Sequence, residues 1–567
     1  MQTKTRREID YKEFGEKNNL KKRIEEITVA LTNRISVSET PGEIEISNDI
    51  LKIFQEMDYY KKNPQDVYLQ DIPTDRHGRK NVIALLRGKK NNNKTVVLLG
   101  HTDTVGINDF GSLIDYCNQP YELTKKMNEI SHTLPYDVQE DLAKTNEDYL
   151  FGRGIFDMKS GDAIIIALME AISKDLENFS GNIIYLGVCD EEVNSTGMFA
   201  AVKELNKVKK ENNFDIQGMI DTDYMTNEYQ GDDDKYVYIG AVGKLMPSFF
   251  VVGQETHVGE SFNGFDPNQI VAELTRKINL NTDFCDIAEG QVTLPPITLK
   301  QRDLKTEYTV QSAKTSTLFF NYATHKSTPD QVLEKMLQVG KVAMQEVIDN
   351  LNVQYEKFCK MSNIEHRKLP WKTNVISFEE LYGKVKAELG EDEFNRILAD
   401  FEREKVKDTT LDERDYALLL VERIHSLWSN MDPVVVVYFS PPYYPHILVD
   451  GKNEKEVNLL SSVQKAIDDT KSEYNLVYKK FFPYIADISF ASAPQDETVI
   501  SSLTTNMPGF GSKYILPIDD MKELNIPVAD IGPFGKDAHK CTERLEKNYS
   551  FNVTPELVYR TVVNLLN

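Results

Sequence analysis

Val96, Val97, Leu98 and Leu99 form an apolar run with no polar alternation, closed by Gly100 and followed at once by His101 and Asp103. Unbroken apolarity predicts a strand buried on both faces, as strands between two layers of helices are. Such a strand delivers His101 and Asp103 to the carboxyl edge of its sheet, where α/β proteins place their sites. A period of two aims both side chains the same way, so the Asp103 carboxylate can hold one imidazole nitrogen while the other binds a metal. A purely structural His–Asp pair is the alternative.

The same patterning orders the neighbouring segments. Residues 7–33 carry Leu20, Ile24, Ile27 and Leu31 at helical spacing, Pro41 and Gly42 lead into a second helix near 43–58, and residues 66–72 and 81–88 read as strands. Asn91, Asn92 and Asn93 then read as a hairpin turn into the apolar run. After a polar stretch, Gly152 and Gly154 permit tight turns, and Asp157 falls just before a helix with Ile164, Ile166, Ala167 and Ala171 on one face. Asp157 is either that helix's cap or a side chain delivered by the turn.

The next strand, residues 182–188, ends in Cys189, Asp190, Glu191 and Glu192. Consecutive acids at the end of a buried strand repel one another and need a cation, unless they form a solvated loop before the helix that Asn194 and Ser195 start. A further strand, residues 217–222, ends around Asp221 and Asp223. Three strand ends and the Asp157 turn therefore bring ligand-type residues to one level, which predicts a single site at the edge of a mostly parallel, helix-flanked mixed sheet.

Farther on, residues 329–430 are helical by pattern: Ser377 and Glu380 form a capping box, and Leu411 to Trp428 is apolar on one face. Residues 434–439, VVVVYF, read as a buried strand, SPPYYP as a stiff connection, and Thr554 to Leu566 as a closing helix.

Composition narrows the function classes. The 567 residues, 40% apolar and 27% charged, match a soluble globular protein of several compact units. A net charge of −23 argues against nucleic acid as a partner. The sequence from Met1 to Phe14 has no apolar signal core, and no run of about 18 apolar residues occurs, so a cytoplasmic protein without a membrane partner is expected. The five cysteines form no CxxC pair and read as reduced thiols; a His539–Cys541 ligand pair is the weaker reading.

Four blocks carry a family resemblance: GHTDTV at 100–105, GRGIFDMKSG at 152–161, DEEVNSTG at 190–197 and GPFGKDAHKCTERL at 532–545. In this order they resemble the M20 family of co-catalytic zinc hydrolases, most of all its arginine-utilisation branch. The resemblance implies that Asp157 bridges two divalent ions, with His101, Glu192, Asp223 and His539 completing their ligands. It implies that Glu191 is the general base, that Asp103 orients His101, and that His257 lends an oxyanion contact from a lid, often from the opposite subunit of a dimer. Zinc suits these nitrogen and oxygen donors, with manganese or cobalt nearly as apt.

The implied organisation is a catalytic α/β part, residues 1–242 and 445–567, interrupted by an α+β lid at 243–444 that is enlarged by the helices near 329–430. Asn321 and Tyr322 stand where many relatives have an Asp-x-Arg clamp, and Asp487 stands in the place of a family acid whose segment here lacks its glycines. The implied activity is cleavage of an amide bond in an N-acyl amino acid or small peptide, in amino-acid or arginine catabolism, with a homodimer through the lid. The alternative is a metal-dependent binding or regulatory protein on the same fold.

Overall fold

The structure is a computed structural model that describes residues 11–73, 75–144 and 148–567. The chain divides into two compact units. One comprises the chain up to Ala241 with Ile447–Ala493 and Pro517–Asn567; the other comprises Val242–His446 with Pro494–Leu516.

The first unit is built on an eight-stranded mixed sheet. Its spatial order is Val67–Asp71, Lys80–Arg87, Ser180–Val188, Lys90–His101, Asp215–Asp221, Val528–Asp530, Lys235–Ile239 and Leu476–Lys479. The strand Lys90–His101 lies parallel to both neighbours. Val96 to Leu99 are at most 1% exposed, so the sheet is covered on both faces, which is why this run needs no polar alternation.

Register sets the site. His101 pairs with Val188 and Leu99 with Asp221, so the residues after these three strands leave the sheet at one edge. Asp530 pairs with Asp221 across the next parallel strand and brings the C-terminal segment to the same level.

Three local expectations are revised. The N-terminal helical pattern is two helices, Tyr11–Lys17 and Leu20–Thr32, separated where Asn19 takes a left-handed φ of 49°; residues 7–10 lie outside the described residues. Asn91–Asn93 do not turn a hairpin, because Asn92 and Asn93 already belong to the strand and Ser180–Val188 sits between it and Lys80–Arg87. The Asn92 amide is held by Ser180 Oγ and the carbonyl of Leu566, and Asn182 donates back to the Asn92 carbonyl. Asp157 is not a helix cap: Lys159 precedes the helix Ser160–Ser173, and Asp157 has an extended backbone (φ −115°, ψ 96°).

The second unit has a six-stranded sheet whose main order is Ile297–Asp303, Thr315–Thr324, Pro247–Val252, Val434–Phe439 and Val375–Ser377, with Gly243–Leu245 pairing beside Thr315–Thr324. All six residues of Val434–Phe439 are buried. The helices Pro329–Ser362, Phe378–Leu389, Glu391–Lys405 and Glu413–Ser426 fill the 329–430 region, and the Ser377–Glu380 capping box is formed. Tyr416, Val421, Leu381 and Phe394 share a core with Val434 and Val436.

Residues 494–516, assigned from the sequence to the catalytic part, belong to this second unit. Asn506 explains the attachment: its carbonyl accepts from Phe439 N–H and its side chain accepts from Glu379 N–H at the start of Phe378–Leu389. Lys513 Nζ adds bonds to the carbonyls of Val406 and Asp408. Among the described residues no helix is long and apolar enough to cross a membrane.

Candidate metal centre

His101 ends its strand buried, with only 3% of its side chain exposed. Its Nε2 lies 3.0 Å from Asp157 Oδ1. His539 arrives from the C-terminal segment in a left-handed turn (φ 67°), and its Nε2 lies 3.1 Å from both Asp157 Oδ2 and Glu192 Oε2. Two ligand-type groups result, His101–Asp157–Asp223 and Asp157–Glu192–His539, each with donor atoms within 4.8 Å of one another. Asp157 is common to both. Cys541 belongs to neither group, so the His539–Cys541 pair is not formed as a ligand set among the described residues.

The carboxylate of Asp103 differs from expectation. The atom nearest His101 Nδ1 is the carbonyl oxygen of Asp103 at 3.2 Å, whereas its carboxylate is 3.7 Å away. That carboxylate instead accepts from the backbone N–H groups of Glu191 (3.1 Å) and Glu192 (3.2 Å) and from Ser38 Oγ (2.7 Å). Asp103 thus fixes the loop that carries the two glutamates. Its carbonyl meets the imidazole directly, and its carboxylate acts on His101 by charge at 3.7 Å.

Two residues that the sequence reading missed support the backbone of Asp157. Glu543 is 1% exposed; its Oε1 accepts from Phe156 N–H (3.3 Å) and Asp157 N–H (3.4 Å), and its Oε2 takes Arg153 Nη1 at 2.7 Å. Arg153 also donates to the carbonyl of Gly106 and twice to Asp109. The Arg153 signal lies inside the GRG block, but a lone Glu four positions after His539 has no pattern that announces its burial.

The electrostatics fit divalent cations. Burial, then the negative charge of Asp157, pushes Asp223 up to about 7. Burial also raises Glu191, with Asp487, Glu192 and Asp223 adding repulsion against the pull of His101. Asp221 and Asp530, register partners on adjacent strands, are raised by burial and then by nearby acids, Asp223 for the first and Asp221 for the second. Asp487 is buried among these groups and raised to about 7, mainly by burial. His539 is raised to about 10 by its hydrogen bonds to Asp157 and Glu192. A buried set of carboxylates in mutual repulsion, with two imidazoles among them, is a donor set that positive charge would relieve. Imidazole and carboxylate donors match zinc, manganese or cobalt.

Comparison with known proteins shows the family. A family model described as Peptidase family M20/M25/M40 matches residues 131–503. The chain belongs to this family of peptidases. The matched span contains Asp157, Glu191, Glu192, Asp223 and His257, while His101 and His539 lie outside it. Over nearly its whole length this M20 chain is similar to two Bacillus subtilis proteins. One is Protein RocB, 35% identical over 550 residues (97% of this chain, 96% of the relative), and the other is the uncharacterized protein YqjN, 33% identical over 548 residues (96% of each). The α/β fold is shared with an aminopeptidase PepT from Bacillus cereus (TM-score 0.52, 12% identity, 96% of this chain and 99% of that one). It is also shared with a Staphylococcus aureus tripeptidase (TM-score 0.51, 13% identity, 96% and 98%). The M20 peptidases are hydrolases, and this chain is one of them.

His257 lies in the second unit. It is exposed and opens the turn Val258–Asn263, where its Nδ1 accepts from Gly259 N–H at 3.1 Å.

Proposed function

We propose that this peptidase-family chain is a two-metal amide hydrolase acting on an N-acyl amino acid or a short peptide. The observation that carries the reading is the position of Asp157, with His101 on one of its carboxylate oxygens and His539 on the other. His101 and Asp223 would hold one ion, Glu192 and His539 the second, and Asp157 both. Such a pair of ions, when bound, polarises the scissile carbonyl and makes water more acidic.

The chain's own residues supply the remaining chemistry. Glu191, beside the ligand Glu192, accepts the proton of the attacking water at a carboxylate oxygen and returns it to the leaving nitrogen. Its raised affinity for a proton, from burial and neighbouring acids, suits a group that must take up a proton. His257 is assigned to the oxyanion as a donor, in keeping with its place at the start of the lid block. A division into catalytic part and lid, pairing of two chains through the lid, and a cytoplasmic setting complete the proposal.

The resemblance to the arginine-utilisation branch, with 35% identity to Protein RocB, favours an amino-acid derivative as substrate. Glu191→Gln tests the reading: the variant should keep its metal and lose nearly all hydrolysis, whereas retained hydrolysis would remove Glu191 from the mechanism. Asn321 and Tyr322, in the place of the clamp of many relatives, favour the second reading, a binding protein. A screen of acyl amino acids and small peptides with zinc, manganese and cobalt separates the two, because tight binding without product under every metal would select the binding protein.

A further inference from the structure

Asp190, the residue before the two glutamates, is 0% exposed and takes φ 69°, a left-handed conformation that L side chains rarely adopt. It is held from every polar atom. Its carbonyl accepts from the N–H groups of Val193, Asn194 and Ser195 (3.4, 3.1 and 2.7 Å), and its Oδ2 accepts from Thr196 N–H at 3.1 Å. Its own N–H donates to Glu43 Oε1 at 3.0 Å. Its remaining oxygen, Oδ1, takes Arg79 Nη1 at 2.6 Å.

Arg79 is itself 4% exposed and spans three acids. Its Nε and Nη2 bond to Asp75 Oδ1 (3.0 and 2.7 Å), and its Nη1 lies 3.2 Å from Glu43 Oε2 as well as on Asp190. The side chains of Glu43, Asp75 and Asp190 are no more than 1% exposed. Three consecutive N–H groups, those of residues 190, 191 and 192, therefore end on buried carboxylates, the first on Glu43 and the next two on Asp103. Acids packed this closely under a strand end need a compensating cation with a planar fork, and Arg79 is placed to be it.

We propose that Arg79 is a positioning residue for Glu191 and Glu192: through Asp190 and Glu43 it holds the strained loop in the conformation that aims both carboxylates at the centre. The inference rests on the roles given to those glutamates under the proposed function. Glu192 rides on this loop, whereas His101 and Asp223 come from other strands, so losing Arg79 should disturb one ion's ligands more than the other's.

The test uses metal-loaded protein and the variants Arg79→Met, Arg79→Lys and Asp190→Asn. Arg79→Met should lower kcat about 10²-fold with KM changed by less than about twofold, the size expected of a misplaced reacting group. Under competition with a chelator it should release one of its two ions well before the other. Arg79→Lys should recover part of kcat. Asp190→Asn, which leaves Arg79 its bonds to Asp75 and Glu43, should show the same split if Arg79→Met folds poorly. Wild-type kcat per folded molecule in Arg79→Met or in Asp190→Asn, even with a lowered melting temperature, overturns the inference, as does equal release of both ions. Glu191→Gln run in parallel separates the two claims: full activity there defeats the underlying mechanism, whereas an inactive Glu191→Gln beside an unimpaired Arg79→Met defeats only the role of Arg79.

Discussion

His539 Nε2 lies 3.1 Å from Asp157 Oδ2, and the other oxygen of that carboxylate faces His101 Nε2 at 3.0 Å. A side chain from the C-terminal segment thus closes a site begun at the end of the strand Lys90–His101. Glu543, held by Arg153, accepts from the backbone N–H of Asp157.

Asp103 should matter through the loop it holds. Asp103→Asn keeps one acceptor oxygen and replaces the other with an NH₂, so it can no longer accept from both Glu191 and Glu192 N–H, and a loop shift of about 1 Å is enough to cost about 10²-fold in rate. We expect kcat to fall by at least about tenfold with the imidazole of His101 still in place, read by steady-state kinetics and a crystal structure of the variant. Unchanged kcat would show that the two N–H bonds do not set the loop.

Metal affinity should rise with pH. In the metal-free protein burial and the charge of Asp157 push Asp223 up to about 7, and the hydrogen bonds to Asp157 and Glu192 raise His539 to about 10. Both groups must be deprotonated to act as ligands, so binding expels protons, more of them at about pH 6 than at about pH 8. Calorimetry in buffers of different ionisation heat measures this directly. Proton release independent of pH across that range would contradict the assignment of Asp223.

Arg544 predicts a large stability effect near the site. It is 0% exposed and paired with Asp137, Asp141 and Asp537. Arg544→Met leaves Asp141 buried with less compensation and should cost about 3–5 kcal/mol in denaturant unfolding. Burial acts to raise Asp141, but Lys536 and Arg544 outweigh it and hold it below the ordinary carboxylate value. Its contribution is therefore complete above about pH 4 and is lost as pH falls through the folded-state value. Acid unfolding of the wild type should steepen in that window, and Arg544→Met should flatten it.

In the second unit, Ser377 Oγ accepts from Glu380 N–H at 3.1 Å while Glu380 Oε2 accepts from Ser377 N–H. Ser377→Ala should destabilise the unit by about 1 kcal/mol, and Ser377→Asp by much less. A thermal melt of both variants decides it, equal melting temperatures arguing against a cap of any consequence.

Sequence patterning made the central strands and their carboxyl edge legible because full burial leaves an unmistakable mark: Val96 to Leu99 have no polar alternation, and neither does Val434 to Phe439. The ligand-type residues were legible for the same reason, since each follows a strand end or a glycine-rich turn. What could not be read was who serves them. Asp103 bonds to backbone N–H groups that any residue at 191 and 192 would offer, and Arg79 reaches Asp190 across a long stretch of sequence, so neither pairing leaves a spacing to detect. Asn91 to Asn93 misled because a turn-type residue also suits the start of a strand whose surroundings accept its amide, as Ser180 Oγ and the Leu566 carbonyl accept that of Asn92. Residues 494–516 lacked any mark of their allegiance, which rests in part on Asn506, Lys513 and Tyr514 meeting backbone groups of the second unit.

The central claim is that one carboxylate, Asp157, serves two ions, and metal stoichiometry tests it most directly. Protein stripped with a chelator and titrated with zinc, manganese or cobalt should bind about two ions per chain and regain hydrolysis as they fill, while Asp157→Asn should fail to hold the pair. Full activity in protein shown to be free of metal, or two ions held as tightly by Asp157→Asn as by the wild type, would contradict it.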